Sequence, residues 1–296
     1  MLYLLCSPSC RCFLPIIANF SYILSKNNIR HLVTNSVKHD GPDDVYLVIW
    51  NSVYKLPNKC IIYNFDPFCE NVLNLFTQLL QRSPNSEILA FVDYCDGGNR
   101  DIITNMDFNY ELMPYGYSEY HVEQYDKYLR GQKQNHHKSI DLLFYGNMSV
   151  RRNQIAEKIN NLCRRKNYRF VIRNNNLYDE DEKASIIERS KIVLSFASSD
   201  AKSLRTNDLC RLSPLICNKA FIITEFIGDN LVEPTISEYV VYTSSIDEML
   251  QKIEYYLDRE HTEERLEMAK IAKERFYQDF NLERDLMKII KKYYEQ

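Results

Sequence analysis

Glycine is scarce in this sequence, with seven residues among 296, against 22 tyrosines. Two apolar runs lead into the loops SPSCRC and GNMSVRR, and neither loop has the G-x-G-x-x-G spacing that dinucleotide-binding domains place after their first strand. The P-loop pattern G-x-x-x-x-G-K-[ST] is also missing from the chain. These absences argue against a dinucleotide-dependent dehydrogenase and against a P-loop ATPase.

A surplus of positive charge and long apolar runs are missing as well. The net charge of −3 argues against a general nucleic-acid-binding protein, because phosphate-dominated binding needs a basic surplus. The amino-terminal stretch MLYLLCSPSCRCFLPIIANF has no basic leader and is interrupted by Pro8, Arg11 and Pro15. No run of 18 apolar residues follows. We therefore expect a soluble cytoplasmic protein without stable membrane insertion. Its nine cysteines have neither the even spacing of a disulfide framework nor zinc spacing, so we expect them to be reduced thiols.

The order of apolar runs predicts two doubly wound α/β domains. Strand-like runs alternate with amphipathic segments such as ENVLNLFTQLLQRS, which indicates parallel sheets covered on both faces. We predict an N-terminal Rossmann-like domain over 1–125, a polar and irregular linker over 126–139, and a C-terminal Rossmann-like domain over 140–275. A C-terminal helix over 276–296 would then be placed to cross back to the N-terminal domain.

Residues 191–225, with the sequence KIVLSFASSDAKSLRTNDLCRLSPLICNKAFIITE, are predicted to form a strand, a polar loop, a helix over about 206–218 and a second strand. The helix opens with Asn207 and carries Arg211 one turn in. A loop at the carboxyl ends of strands that leads into a helix with an arginine suits a bound anion. An ordinary βαβ unit whose arginine pairs with a carboxylate would show the same pattern.

A second anion-binding candidate is YGNMSVRRN, residues 145–153, in which Gly146 ends a strand and Arg151 and Arg152 open a helix. A glycine lets backbone N–H groups approach a phosphate, and arginines hold its oxygens in a bidentate fashion. Between 151 and 173 the chain has eight basic residues and one acidic residue. A solvated helix face explains the later arginines equally well.

Two groups of carboxylates are candidates, one for catalysis and one for metal binding. Asp93 ends the strand-like run SEILAFVD, where a carboxylate could deprotonate a hydroxyl group or could simply cap the following turn. The DEDE stretch contains the D-x-D pattern of some metal-dependent sugar-transfer enzymes. Because it precedes a predicted helix instead of following a strand, we interpret it as helix N-terminal charge and predict no metal site.

Five short segments, in order, resemble those of two-domain glycosyltransferases with the GT-B fold. IIYNFDPF is similar to their Y-N-[LFM]-[ED] segment, VDYCDGGN with MPYGYSEYH to DYS-x-x-N and P-x-GY, and LFYGNMSVRR to F-x-G-x-x-x-x-R. RTNDLCRLSPLICNKAFIITE resembles their R-x-x-x-x-L helix followed by an [ST]-E strand, and YVVYTSSIDEMLQKIEYYL resembles the element that comes next. The similarity extends from about Val45 to Arg284.

This resemblance implies a metal-independent enzyme that uses no cofactor and moves a sugar from a nucleotide-diphosphate donor to a hydroxyl of a glycan or glycoprotein acceptor. A UDP-sugar is the preferred donor on general frequency alone. Gly146, Arg151 or Arg152, and Arg211 would contact the diphosphate, and Glu225 would contact the ribose or a helix terminus. The predicted donor site is completed by Asn147, Arg173, Ser195 and Asn207.

The sequence departs from the family pattern at two places. It has Asn218-Lys219-Ala220 where relatives carry a glycine, and in the segment 191–217 it lacks the paired E-x7-E of many retaining relatives. The second departure favours an inverting mechanism, with Asp93 as the first choice of base. The alternative function is a non-catalytic protein that binds a glycan or nucleotide on the same fold, since fold alone does not imply turnover.

Overall fold

A computed structural model describes residues 1–7, 11–37, 41–66, 68–94, 99–131, 138–174, 180–198, 209–226 and 236–295. In this part of the chain two parallel sheets follow one another along the sequence, each flanked by helices. The first sheet has the strand order β2-β1-β3-β4-β5-β6, and its strands are β1 (Leu2–Leu5), β2 (His31–Thr34), β3 (Val45–Ile49), β4 (Lys59–Asn64), β5 (Glu87–Asp93) and β6 (Tyr110–Leu112). Its helices are α1 (Leu14–Lys26), α2 (Glu70–Arg82), α3 (Asn99–Thr104) and α4 (Glu119–Gly131).

The second sheet has the order β11-β10-β9-β7-β8 and is likewise parallel. Its strands are β7 (Ile140–Tyr145), β8 (Phe170–Arg173), β9 (Ser190–Ser195), β10 (Ile222–Glu225) and β11 (Val241–Thr243). The helices of this half are α5 (Val150–Lys166), α6 (Glu180–Glu188), α7 (Leu209–Cys217), α8 (Ile246–Leu257), α9 (Thr262–Asp279) and α10 (Leu282–Tyr293).

The core follows the period-two alternation of side chains along the buried strands. On β7, Leu142 and Phe144 pack with α5 and α8, whereas Leu143 and Tyr145 point to the opposite face. That opposite face joins a cluster that also contains β1, β3 and α1 of the first half. One apolar core therefore extends through both halves, while the outer face of each sheet has a cluster of its own.

The last helix, α10, packs against the first half of the chain. Its residues Leu282 and Leu286 belong to the core shared with β1 and α1. Glu283 at its start pairs with Lys26 at the end of α1, with 2.7 Å between Nζ and Oε2. The C-terminal segment thus contacts the N-terminal sheet and its helices.

Three details differ from the sequence-based prediction. Residues 119–131 form α4, so residues 126–131 of the predicted linker are helical. The polar appearance of this stretch hid an inward face on which His121 is buried and Tyr125 is partly buried. The short elements α3 and β6 were not predicted, because neither has enough residues to show a periodicity. The helix predicted over 206–218 is observed as Leu209–Cys217, and residues 206–208 lie outside the described part.

No helix within the described ranges combines the length and the apolar character needed to cross a membrane.

Candidate functional site

The second sheet has its topological switch point between β7 and β9. From β7 the chain moves to β8 on one side and then crosses to β9 on the other. In open parallel sheets the crevice for a ligand opens at the carboxyl ends of the two strands on either side of such a point. Here those ends are Tyr145, followed by Gly146, and Ser195, followed by Phe196.

Gly146 is the point on which two predicted arginines converge. A Cβ atom built on Gly146 would lie 3.0 Å from Nη2 of Arg211 and 3.6 Å from Nη1 of Arg152. Its φ of 141° also lies in the region that favours glycine. The backbone N–H of Gly146 donates to the carbonyl of Arg173 at 3.0 Å, so it is used inside the sheet. The glycine therefore makes room for two guanidinium groups, while its own N–H pairs with the neighbouring strand.

Backbone carbonyls orient the Arg152 side chain. Its Nε donates to the carbonyl of Phe196 at 3.0 Å, and its Nη1 donates to that of Asn147 at 2.7 Å. The guanidinium also lies 5.5 Å from the ring centre of Phe144. Arg211, in the first turn of α7, lies at the same 5.5 Å from the ring centre of Tyr145. Both positive groups are thus held over the end of β7.

The side chain of Arg151 lies against a different strand. Its two terminal nitrogens donate to the two carboxylate oxygens of Glu225 at the end of β10, one of them at 2.9 Å. Nη1 also donates to the carbonyl of Ala197 at 3.0 Å, and the N–H of Ala197 donates to Glu225 at 3.1 Å. Arg151 and Glu225 therefore fasten the loop after β9 to the end of β10.

The start of α5 is built by Ser149. Its hydroxyl accepts from the N–H of Arg152 at 3.2 Å and donates to the carbonyl of Ser198 at 2.8 Å. Ser149 is a favourable residue at this position because its oxygen satisfies one N–H of the first helical turn. The amino terminus of a 17-residue helix, with its partial positive charge, thus lies beside Arg152.

The other predicted donor-site residues differ in exposure. Asn147 is exposed, and Ser195 is buried at the end of β9. Arg173, at the end of β8, is about half exposed, and its Nε lies 3.8 Å from Oε1 of Glu182 on α6. Asn207 lies outside the described residues.

The predicted base, Asp93, lies at the end of β5 in the first sheet and is 0% exposed. Its Oδ1 accepts from Nδ2 of Asn64 at 3.2 Å, and its Oδ2 accepts from Nδ2 of Asn99 at 2.7 Å. The structure therefore brings Gly146, Arg152 and Arg211 together in one half of the molecule and places Asp93 inside the other half.

Sequence reasoning missed the contribution of main-chain groups and of Ser149. The carbonyls of Phe196 and Ala197 orient two arginines, yet no side-chain pattern encodes a carbonyl. Ser149 could have been found, because a serine three residues after a strand-ending glycine and just before a helical run is a cap signal. Within the described ranges, no group of three or more metal-ligating side chains could hold an ion.

Comparison with known proteins adds two findings. A model of a family described as glycosyl transferase-like matches residues 133–291, which is just over half of the chain. Among solved structures, a sucrose-phosphate synthase from Thermosynechococcus elongatus has a TM-score of 0.52 and 10% sequence identity, with 95% of this chain and 78% of that chain covered. At this identity the likeness concerns the fold, and it confirms the predicted GT-B architecture. No curated protein matches the sequence.

Proposed function

Since the chain belongs to the glycosyl transferase-like family and is a glycosyltransferase of the GT-B fold, we propose a donor and an acceptor for it. It transfers a sugar from a nucleotide-diphosphate donor to a hydroxyl of a glycan or glycoconjugate. The observation that supports this function best is the convergence of Arg152 and Arg211 on Gly146 at the switch point of the second sheet. Two guanidinium groups beside a helix amino terminus are suited to a diphosphate, which carries two negative charges.

The same groups are proposed to stabilise the leaving group. When the bond between the sugar and the diphosphate breaks, negative charge grows on the departing oxygen. Positive groups already in position stabilise that charge without reorganisation, which is commonly worth a few kcal/mol for each donor. Arg152, Arg211 and the first turn of α5 are the groups proposed for this role, which a divalent metal performs in other enzymes.

Arg151 and Glu225 have a supporting role in this proposal. Because their charges pair, they fix the loop after β9, and this loop supplies the carbonyl that orients Arg152. A UDP-sugar, with uracil as the base, is proposed as the donor and is the first to be tested. We propose that the configuration of the transferred sugar is inverted, since residues 191–217, which resemble the strand and helix of the family's nucleotide-binding domain, contain no glutamate for the E-x7-E pair of many retaining relatives.

The first test measures donor binding and transfer with UDP- and GDP-sugars. Thermal shift with the free nucleotides and with the sugars should show stabilisation of the wild type, because a ligand that binds the native state raises its stability. Arg152→Ala and Arg211→Ala should each lower kcat/KM for the donor by about 100-fold, with a higher KM and a lower kcat. The matched control is Arg164→Ala, which removes an exposed arginine near the other end of α5.

The same assays decide the finer points. Transfer should persist in EDTA, and the anomeric proton signals of the product should show inversion. A wild type that binds none of the nucleotides or sugars would contradict the proposed function and favour a non-catalytic scaffold. If Arg211→Ala and Arg152→Ala behave like Arg164→Ala, the diphosphate assignment is wrong.

A further inference from the structure

The first sheet has a polar cluster of its own at the carboxyl ends of β3, β4 and β5. It is formed by side chains that follow or end these strands: Trp50, Asn51, Asn64, Asp66, Asp93 and Asn99. The cluster lies next to β1 and β3, between which the first sheet has its own topological switch point. Two carboxylates with different surroundings, Asp66 and Asp93, lie within it.

Asp93 is the interior member of the cluster. Both of its carboxylate oxygens accept hydrogen bonds from the buried amides of Asn64 and Asn99. The indole N–H of Trp50 in turn donates to Oδ1 of Asn64 at 2.7 Å, which fixes the orientation of that amide. A carboxylate that is 0% exposed and bonded to two buried amides is placed to organise its neighbours instead of touching an acceptor sugar.

The two amides held by Asp93 fix the backbone at Asp66. The carbonyl of Asp66 accepts from Nδ2 of Asn64 at 2.7 Å and from Nδ2 of Asn99 at 3.2 Å. The N–H of Asp66 donates to Oδ1 of Asn64 at 3.2 Å, and the N–H of Phe68 donates to Oδ1 of Asn99 at 2.7 Å. The side chains of Asn64 and Asn99 thus connect the carboxylate of Asp93 to the backbone of Asp66.

The carboxylate of Asp66 differs from that of Asp93 in its access to solvent. Its side chain is partly exposed and accepts a hydrogen bond from Nδ2 of Asn51, a residue on the surface just after β3. Burial raises the pKa of the Asp66 carboxyl above its ordinary value, while the Asn51 hydrogen bond opposes this shift. A carboxylate with a raised pKa that still reaches the surface suits proton removal from a hydroxyl.

We propose that Asp66 is the carboxylate that accepts the proton of the acceptor hydroxyl, and that Asp93 is a positioning residue that acts on Asp66 through Asn64 and Asn99. This inference rests on the proposed glycosyl transfer. In the step, the acceptor O–H proton moves to Asp66, and the acceptor oxygen forms a bond to the anomeric carbon of the donor. The bond from that carbon to the diphosphate breaks, and its electron pair leaves with the nucleoside diphosphate. Asp66 then releases the proton to water.

The key variant is Asp66→Asn, which keeps the size of the side chain and the main-chain hydrogen bonds. With the UDP- or GDP-sugar that the wild type transfers, kcat should fall about 100-fold or more, while the donor midpoint in the thermal-shift titration stays unchanged. The wild-type rate should rise with pH through the pKa of Asp66, because only the ionised carboxylate accepts a proton. This rise of the rate with pH (the acid limb of the profile) should disappear in Asp66→Asn and return in part in Asp66→Glu.

The matched control is Asp101→Asn, which neutralises an exposed carboxylate in the first turn of α3. It should leave kcat and the pH profile as in the wild type. Among the described residues, Asp93 is a further titratable group for the pH experiment, since it shares the Asn64 and Asn99 amides with the backbone of Asp66. The Asp93→Asn variant should therefore be measured beside Asp66→Asn. It should have a Tm lower by about 5 °C, because its new NH2 group would face the NH2 group of Asn64 or of Asn99 in the interior.

The outcomes separate this inference from the proposed function. If the wild type neither binds nor transfers any of the sugars, the proposed function itself fails. If the wild type transfers sugar and Asp66→Asn keeps both its kcat and its pH profile, the assignment of Asp66 is overturned. An Asp93→Asn variant with wild-type Tm and a lost acid limb would return the base to Asp93 and overturn it as well.

Discussion

At the scale of single residues, the arginines around the second sheet have different surroundings despite similar sequence positions. Arg151 and Arg152 are adjacent, yet Arg151 pairs with Glu225 while Arg152 lies over Phe144 and converges with Arg211 on Gly146. Successive residues on a helix point about 100° apart, so neighbours face different strands. Of the two arginines that the sequence left open, Arg151 and Arg152, we therefore propose Arg152 as the diphosphate ligand.

The Arg151–Glu225 pair gives a prediction about stability. The two side chains are 17% and 13% exposed, so removing one of them takes a two-point ionic partner away from a largely buried charge. We expect Glu225→Ala to lower the free energy of unfolding by about 2 to 4 kcal/mol, measured by urea denaturation. A double-mutant cycle with Arg151→Ala should show a coupling energy of about 1 to 3 kcal/mol.

The control for this prediction is the half-exposed pair of Arg173 and Glu182, whose atoms lie 3.8 Å apart. Arg173→Ala should lower the free energy of unfolding by less than about 1 kcal/mol, because exposed ion pairs contribute little to stability. A Glu225→Ala variant with wild-type stability and a raised donor KM would instead support the ribose contact expected from the sequence.

At the scale of elements, the segment between β6 and α4 joins the two halves of the molecule. The N–H of Tyr117 donates to the carbonyl of Phe280, and the N–H of Leu282 donates to the carbonyl of Tyr117 at 2.9 Å. Ser213 on α7 also donates to the carbonyl of Gly116. MPYGYSEYH, which resembles the P-x-GY segment of the family, thus lies where the C-terminal segment meets the N-terminal half.

Gly116 is the residue on which this junction depends most. A Cβ atom at this position would lie 2.1 Å from the carbonyl oxygen of Phe280, which is backbone and cannot turn away. We expect Gly116→Ala to lower the free energy of unfolding by about 3 kcal/mol, as measured by urea denaturation. Hydrogen exchange should also be faster at Tyr117 and Leu282, whose N–H groups form the contact.

Gly41→Ala is the comparison, because the nearest atom to its added Cβ would be a side-chain oxygen of Asp44 at 3.1 Å. That side chain can move, so Gly41→Ala should lower the free energy of unfolding by less than about 1 kcal/mol. Equal effects of the two substitutions would show that the close approach at Gly116 does not control stability.

At the scale of the whole molecule, the shared core couples the two sheets. Residues of β1, β3 and α1 belong to the same apolar cluster as residues of β7, β9 and α7. Interfaces between domains of one chain are often polar and modest in size, which permits the domains to unfold independently. Here the inner faces of both halves are buried in one cluster instead.

This coupling predicts a single cooperative unfolding transition. In differential scanning calorimetry the calorimetric enthalpy should equal the van't Hoff enthalpy, as expected when intermediates are not populated. Gly116→Ala serves as the perturbed comparison, since weakening the junction should broaden or divide the transition. Two well-separated transitions in the wild type would contradict the coupling of the halves through their core.

The sequence by itself determined the order of the main elements and indicated the residues that we propose for the donor side. The buried strands β7 and β9 have apolar runs, and the segments that follow them contain Gly146, the pair Arg151 and Arg152, and Arg211, so that local pattern made these residues candidates. Parallel sheets place the carboxyl ends of their strands at one edge, which is why residues distant in the chain could be expected to meet there.

Only the tertiary structure decided how residues that look alike in sequence differ in surroundings. Asp66 and Asp93 both lie at or just beyond the end of a strand. Asp93 is nevertheless buried and bonded to the amides of Asn64 and Asn99, which lie in segments that no local sequence pattern connects. The pairing of Arg151 with Glu225 likewise joins residues 74 positions apart. Chain periodicity reports which face of an element is buried, whereas the partner of a polar side chain depends on contacts that exist only after the sheets have packed.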